Sequence, residues 1–187
     1  DRTVNVANQH RDSSDIGDWE RAVTRTSMGI GFLSPGMPLM FQGDESLATN
    51  KFSWGIPSKW DNGWDWMNEP DSARYKHHSF SKALIALKKS SDAFDADSQA
   101  HRVYSHQQDS VMAFTRKKGN EEYLVVASFN KSPLQGYNIP TDARWEPVFS
   151  TDNSEFGGQN RFTPRPLEWA QGTVDLPAGG MLVFRKA

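Results

Sequence analysis

The chain has 187 residues and a formal net charge of −2, with 21 basic side chains against 23 acidic ones. This near balance excludes the strong positive field that attracts nucleic acid or an anionic membrane surface, so neither is expected as a partner. The sequence contains no cysteine, which excludes a disulfide framework and a thiolate metal site. No apolar run approaches the roughly 20 residues that cross a bilayer.

The first third of the chain has the pattern of a parallel sheet covered by helices. Residues 3–9 alternate in polarity as a short strand does, and a helix is predicted from Asp18, whose side chain can cap it. Pro35 and Gly36 end this helix. Residues 38–42 then predict a second strand, buried on both faces because it is a continuous apolar run. Strand, helix and strand in this order form a βαβ unit.

Polar and acidic residues directly follow the second predicted strand. Asp44 and Glu45 stand just past its C-terminal end, where α/β barrels place their ligand sites. We therefore expect one of these two carboxylates to contact a ligand. The alternative is a structural role, in which a carboxylate accepts hydrogen bonds from loop N–H groups or pairs with an arginine.

A second helix is predicted from about residue 71 to residue 91, and the pattern changes near residue 98. The side chains that could line the buried side of this helix are Tyr75, His78, Phe80, Leu84, Ile85 and Leu87. Seven short strands are predicted after the change, at 101–105, 110–116, 122–129, 135–139, 144–149, 172–176 and 180–185. Many short strands separated by regular turns are typical of an antiparallel sandwich. Two domains are therefore predicted, residues 1–98 and residues 99–187.

Two strand–helix units cannot close a barrel, because a barrel of this kind needs eight of them. Alone, they would leave strand edges and helix faces unburied. The predicted fold class is therefore α/β followed by all-β. Residues 1–98 would form the last two units of a (β/α)8 TIM barrel, and residues 99–187 an antiparallel β-sandwich. An upstream part of the same barrel is the expected partner of residues 1–98.

Four stretches of the chain resemble the C-terminal end of glycoside hydrolase family 13, the α-amylase superfamily. Residues 34–45 look like the eighth barrel strand of the family. Residues 63–66 and the helix after them are similar to the segment that follows this strand in 1,4-α-glucan branching enzymes. Residues 111–130 resemble the start of the C-terminal sandwich, and residues 149–160 look like a branching-enzyme turn in that sandwich. Maltooligosyl trehalohydrolases and related amylases share much of this pattern.

The resemblance implies a (β/α)8 barrel that acts on an α-1,4-glucan, such as glycogen, starch or a maltooligosaccharide. It also implies a retaining mechanism, which needs two carboxyl groups about 5 Å apart. In the family these carboxylates, the nucleophile and the acid/base, lie on earlier strands, which this chain lacks. The residues do not separate transfer from hydrolysis. No cofactor and no metal site are predicted, and Asp152 with Asn153 is interpreted as a turn that its own side chains stabilise. Glycogen metabolism would place the protein in the cytoplasm, whereas a secreted amylase would lie outside it.

His10 matches the histidine that contacts substrate after the seventh barrel strand of the family. There the next residue is an aspartate, a third acid that helps to bind the substrate ring, but this chain has Arg11 at that place and Asp12 one residue later. Either the loop is shifted by one residue and Asp12 is the third acid, or that acid is missing. In the second case the parent protein would be a degenerate member that binds glucan without turning it over.

Aromatic side chains supply the remaining candidate contacts. Trp54, Trp60 and Trp64 are candidate platforms for a sugar ring, because an indole offers a flat apolar face and an N–H donor. The alternative is that these rings hold the long connection, residues 43–72, on the barrel. A weaker hypothesis is that residues 99–187 bind carbohydrate by themselves, with Tyr137, Trp145 and Trp169 as the exposed aromatic candidates.

Overall fold

The computed structural model describes residues 16–49, 65–169 and 172–187, together with Thr3. These residues contain two α-helices, α1 (Asp18–Leu33) and α2 (Ala73–Lys89), neither of which is long and apolar enough to cross a membrane. The β-strands are β1 (Gln99–His106), β2 (Val111–Lys118), β3 (Glu121–Ser128), β4 (Leu134–Asn138), β5 (Trp145–Ser150), β6 (Thr173–Leu176) and β7 (Met181–Lys186). All seven predicted strands are confirmed, with each end displaced by about two residues or fewer.

A five-stranded antiparallel sheet in the order β1-β2-β3-β7-β5 forms the centre of the structure, and β4 pairs with β6 in a second, two-stranded sheet. Side chains alternate between the faces of a strand. Val125 and Val183 are paired neighbours that pack against the helices. Leu124 and Phe184, the next pair along the same strands, pack on the opposite face with residues of the two-stranded sheet. The large sheet is therefore covered by α1 and α2 on one face and by β4 and β6 on the other.

The two helices begin differently from each other. Gly17 occupies the cap position of α1, so the prediction that Asp18 caps this helix is wrong. Asp18 lies in the first turn, where a carboxylate is stabilised by the helix dipole. Its two oxygens accept hydrogen bonds from Arg21 at 2.7 Å and from Gln159 at 2.8 Å. In α2 the hydroxyl of Ser72 accepts from the backbone N–H of Tyr75.

The buried face of α2 matches the prediction only in part, since Phe80 and Leu84 are fully buried whereas Tyr75, His78, Ile85 and Leu87 are half-buried. Its fully buried positions are His77, Phe80, Ser81 and Leu84, which are spaced three and four residues apart as on one face of a helix. His78 is only half-buried, so its prediction as the buried histidine is wrong. Adjacent helical residues point in directions about 100° apart, and the core therefore takes His77.

The predicted strand at residues 38–42 is not a strand in the structure. Residues 37–40 have no regular secondary structure, and the side chains of Met37 and Leu39 are 92% and 96% exposed. A parallel strand must pair its backbone groups with neighbouring strands, and no described residue provides such a neighbour. Thr3 is helical, so no strand begins at residue 3, and the rest of that predicted strand lies outside the described residues. The described sheets are antiparallel.

Helix α1 packs very closely on the large sheet. A Cβ placed on Gly29 would lie 2.4 Å from the terminal methyl carbon of Met181, which is closer than atoms can pack. The hydroxyl of Thr26 donates to the carbonyl of Gly179 at 2.6 Å, and the Nε of Arg25 donates to the carbonyl of Thr151 at 3.0 Å. These contacts fix the helix to the turn before β7 and to the loop after β5.

The two glycines of α1 provide a matched pair of substitutions. A Cβ placed on Gly31 would have no other atom within 4 Å, so Gly31→Ala is expected to raise the free energy of unfolding by about 0.5–1 kcal/mol through helix propensity. Gly29→Ala gains the same propensity but forces the end of the buried Met181 side chain to move, and we expect it to be less stable than Gly31→Ala by about 1 kcal/mol. Urea unfolding measures both. Equal stability of the two variants would contradict the close contact.

Candidate functional site

The acidic segment after residue 42 forms a tight loop that closes on itself. Gly43 has a φ of 98°, a conformation that favours glycine, and Asp44–Ser46 form a single 3-10 turn. Leu47 is also left-handed, with a φ of 55°. The N–H of Ala48 then donates to the carbonyl of Gly43 at 2.9 Å. The loop backbone is therefore held in place without a ligand.

Glu45 has the structural role that was the alternative to a ligand contact. Its Oε2 accepts from the N–H of Gly43 at 2.7 Å, and its carbonyl accepts from the hydroxyl of Ser81 at 3.3 Å. The Nε of Arg74 donates to the neighbouring carbonyl of Ser46 at 3.1 Å. Burial lowers the pKa of the Arg74 guanidinium, and the charge of Glu45 opposes this shift. A contact between Glu45 and a ligand stays a prediction.

Asp44 faces a small cavity between this loop and α1. The cavity has a volume of about 180 Å³ and is lined by the hydroxyl residues Thr24 and Ser27 and by the apolar residues Met28 and Met40. Hydroxyl and carboxylate oxygens beside an apolar wall could hold a polar group of a ligand such as a sugar hydroxyl. Of the two predicted acidic site residues in this loop, Asp44 is the one that lines this cavity.

The other predicted site residues cannot be placed relative to this loop. His10, Asp12, Trp54, Trp60 and Trp64 lie outside the described residues. Their predicted contacts with substrate therefore remain predictions, and so does the choice between Asp12 as the third acid and a missing third acid.

His77 is a buried ionisable group that the sequence pattern does not single out. Its side chain is 0% exposed, its ring lies 5.4 Å from that of Phe80, and neither ring nitrogen has a hydrogen-bond partner of normal geometry among the described residues. Burial is the main cause that lowers the pKa of His77 to about 3. The charge of Arg25 lowers it further, and the backbone of Asp44 opposes the decrease. The sequence pattern of this helix does not show which of the two adjacent histidines, His77 or His78, is the buried one.

The low pKa of His77 predicts a loss of stability in mild acid. The unfolded chain binds a proton at His77 below a pKa of about 6.5 and the folded chain does not, so the free energy of unfolding falls by up to about 1.4 kcal/mol for each pH unit below 6.5. Urea unfolding between about pH 7 and pH 5 measures this slope. His77→Leu is expected to reduce it, whereas His101→Gln on the exposed surface is expected to retain it. An unchanged slope in His77→Leu would contradict the assignment.

The predicted turn at Asp152 and Asn153 is confirmed. The two carboxylate oxygens of Asp152 accept from the N–H groups of Gln159 at 2.9 Å and Arg161 at 2.8 Å, and the side chain of Asn153 accepts from the N–H of Glu155. In the part of the chain that the structure describes, no group of three or more acidic or histidine side chains is placed to hold a metal ion. The oxygens of Asp152 serve the loop itself.

Trp145 is a core residue and not an exposed aromatic side chain. It is 2% exposed and packs in the cluster between the two sheets, so the hypothesis that it offers an exposed face is wrong. Trp145 is the first residue of β5, and its ring points toward the core. Its backbone forms an isolated antiparallel β-bridge with Leu167. Tyr137 is partly buried, and its hydroxyl donates a hydrogen bond to the carboxylate of Asp109 at 2.9 Å. Trp169 is 72% exposed, as predicted.

The described residues form an antiparallel β-domain with two helices packed on one face of its large sheet. Residues 102–187 match the family described as the alpha amylase C-terminal all-beta domain. The resemblance to the C-terminal end of glycoside hydrolase family 13 is therefore confirmed for these residues, which carry the alpha amylase C-terminal all-beta domain.

Curated relatives with matching sequences are named 1,4-alpha-glucan branching enzymes. The chain is 31% identical over 159 residues to GlgB 1 of Xanthomonas campestris pv. campestris strain 8004, a match that covers 76% of this chain and 20% of the relative. It is 30% identical over 182 residues to GlgB of Lactiplantibacillus plantarum, covering 86% of this chain and 27% of the relative. The chain thus spans about a fifth to a quarter of the length of these relatives.

Solved structures of low sequence identity share the fold. The catalytic module of SpuA, a multi-modular glycogen-degrading pneumococcal virulence factor, superimposes with a TM-score of 0.69 at 18% identity over 100% of this chain and 34% of that one. An alpha-amylase from H. orenii gives a TM-score of 0.60 at 17% identity, over 89% of this chain and 36% of that one. These likenesses show the fold alone.

Proposed function

We propose that this chain is the C-terminal part of an α-glucan-acting enzyme of the branching type. In such an enzyme a retaining mechanism cleaves an α-1,4 bond and transfers the released chain to a 6-hydroxyl. The observation that carries the proposal is the sequence match to branching enzymes, which extends over 76% and 86% of the chain in the two relatives described. A match of this extent is longer than the β-domain and therefore includes helix α2.

The part that this chain plays is support of the barrel and of the glucan groove. Helices α1 and α2 would belong to the last two strand–helix units of a TIM barrel, and the exposed segment at Met37 and Leu39 would be its eighth strand. The exposure of these two apolar side chains, 92% and 96%, supports this assignment. An exposed apolar segment is what a barrel strand becomes when the neighbouring strands are absent.

The partners that follow are an α-1,4-glucan and the upstream part of the same barrel. The nucleophile and the acid/base would come from that upstream part. Asp44 would contribute a carboxylate near the mouth of the barrel, beside the hydroxyls of Thr24 and Ser27. A cytoplasmic location belongs to the same proposal, because glycogen is built inside the cell. Cell fractionation with an antibody against this chain would check the location.

One feature favours a second function. Arg11 stands where the family has its third acid, and loss of that carboxylate would weaken binding of the transition state. The parent protein would then bind glucan without catalysis. A hydrolase, of the α-amylase or trehalose-releasing kind, is the alternative within the catalytic class, and the fold likeness to an alpha-amylase is compatible with it.

A product analysis on amylose distinguishes these functions. The protein that carries this chain together with its upstream sequence is incubated with amylose, and the α-1,6 anomeric proton signal, the iodine spectrum and the reducing ends are followed. The proposal expects new α-1,6 signals and weaker iodine staining with few new reducing ends. New reducing ends without α-1,6 signals would identify a hydrolase. No change, with retained binding of glucan, would support the degenerate member.

A further inference from the structure

A groove at one end of the β-domain lies apart from the acidic loop and α1. It has a volume of about 460 Å³ and is lined by residues from β1, β2 and β3, by Trp145 at the start of β5, and by residues 140–142, which precede that strand. This volume lies within the range of small-ligand sites. Because residues 140–142 connect the two sheets, the groove is the open mouth between them.

The floor of the groove is built by the pairing of the strands. His101 is the partner of Thr115, and Thr115 is the partner of Leu124, so these three side chains form one row across β1, β2 and β3. The row combines an imidazole, a hydroxyl and an apolar side chain, all of which line the groove. His101 is the exposed member of the row, whereas Thr115 and Leu124 form its buried floor, and the half-buried Val103 supplies the accessible apolar contact.

A second row runs parallel to the first and carries charges that neutralise one another. The carboxylate of Glu122 accepts from the ammonium group of Lys186 at 2.9 Å, and that ammonium group lies 5.5 Å from the centre of the Trp145 ring. The hydrogen bond from Lys186 to Glu122 is the main cause that raises the pKa of the ammonium group, and the charge of Asp142 adds to it. The groove therefore presents one ion pair and the additional carboxylate of Asp142, whose oxygens can accept hydrogen bonds from the hydroxyl groups of a ligand.

An exposed tryptophan stands close to the same rim. Leu167 pairs with Trp145, and the carbonyl of Glu168 accepts from the hydroxyl of Thr141, which lines the groove. Trp169 is the next residue and is 72% exposed. A large aromatic face left in solvent beside a largely apolar groove that also carries hydroxyl and carboxylate groups is what a sugar ring stacks on.

We propose that this groove, with Trp169 at its rim, is a surface site that binds a short segment of α-1,4-glucan away from the barrel. The identity of the ligand rests on the proposed function, whereas the location of the site rests on the groove itself. Apolar ring faces would contact Trp169 and the half-buried Val103, and hydroxyl groups would bond the side chains of Glu122 and Thr141. A site of this kind would hold a long glucan on the enzyme while its end is processed.

A nuclear magnetic resonance titration of the 187-residue chain with maltoheptaose tests the proposal. The backbone signals of Val103 and Thr141 and the indole N–H signal of Trp169 are expected to shift with one common dissociation constant. Trp169→Ala and Glu122→Gln are each expected to weaken binding at least about fivefold, since one removes the stacking face and the other a charged hydrogen-bond acceptor. Glu155→Gln, at an exposed glutamate of the loop after β5, is the matched control and should bind as the unaltered chain does.

The outcomes separate this inference from the proposed function. Shifts confined to the loop around Asp44 and Glu45 would overturn the groove site and support a glucan contact at the barrel mouth. Equal binding of cellohexaose, a β-1,4 glucan, would overturn the ligand class. Absence of any shift at millimolar maltoheptaose would overturn the groove site, while the product analysis on amylose would still decide the proposed function.

Discussion

Replacing Arg116 with methionine is expected to lower the free energy of unfolding by about 3–5 kcal/mol, because each buried acceptor left without its donor costs about 1–3 kcal/mol. The Arg116 side chain is 0% exposed and lies on the helix-facing side of β2. Its guanidinium donates to the carbonyl of Leu33, to the carbonyl of Asp95 and to the hydroxyl of Ser98. Leu33 is the last residue of α1, so the cation also satisfies the carbonyl end of that helix.

Lys118→Met is the matched control for this prediction. Lys118 lies two residues further along β2 and forms ion pairs with Asp95 at 2.9 Å and Asp97 at 3.0 Å, but it stands in solvent. Exposed pairs contribute about 0–1 kcal/mol, so this variant should lose less than about 1 kcal/mol. Urea unfolding followed by circular dichroism measures both variants. Similar losses for the two would contradict a special role of the buried guanidinium.

Replacing Phe80 with alanine is expected to have the second large effect, a loss of about 3–5 kcal/mol. The Phe80 ring is 0% exposed and lies 6.2 Å from the ring of Phe149 and 5.9 Å from the ring of Phe156. Phe149 belongs to β5 and Phe156 to the loop after it. The three rings together join α2, the large sheet and that loop, and alanine would leave a cavity among them.

The size dependence of the loss at Phe80 tests this explanation. Phe80→Leu keeps most of the volume and should lose about 1.5 kcal/mol, well below the loss of the alanine variant. Amide hydrogen exchange is expected to show faster opening of residues 152–161 in Phe80→Ala, because Phe156 would lose a ring that packs against it. Protection of this loop at the level of the unaltered chain would contradict the proposed link between helix and loop.

The β-domain could be predicted from the sequence because its signals are local. Turn residues such as Gly119, with a φ of 58°, and Gly179, with a φ of 60°, mark the ends of strands that alternate in polarity. The turn around Asp152 was predictable for the same reason, since its side chain bonds the backbone of its own loop.

Other features depend on contacts between distant residues and leave no local signal. Arg116 follows Thr115 in a strand pattern like any surface arginine, and its burial depends on the carbonyl of Leu33, 83 positions away. The choice of His77 over His78 depends on the packing of α2 on the aromatic cluster. The apolar run at residues 38–42 predicts a strand, but a strand forms only beside partners, which the described residues do not supply.

The helices and the large sheet share one core, and this joins α1 firmly to the β-domain. Arg25 and Thr26 of α1 bond the backbone at Thr151, after β5, and at Gly179, before β7. A helix held at both points cannot move independently of the β-domain. If α1 belongs to the barrel of a glucan-acting enzyme, the β-domain would fix the position of the loop that carries Asp44. This geometry favours a role in which the β-domain supports the part of the barrel that would bind glucan.

The most direct test of the central claim, that this chain supports catalysis whose acidic groups lie elsewhere, is an amylose assay on the purified chain with its mass verified. A mass of 21.1 kDa with no change in iodine staining, in α-1,6 signals or in reducing ends is the result that the claim predicts. Branching or hydrolysis by a chain of that mass would contradict it, because the nucleophile and the acid/base would then have to lie among these 187 residues.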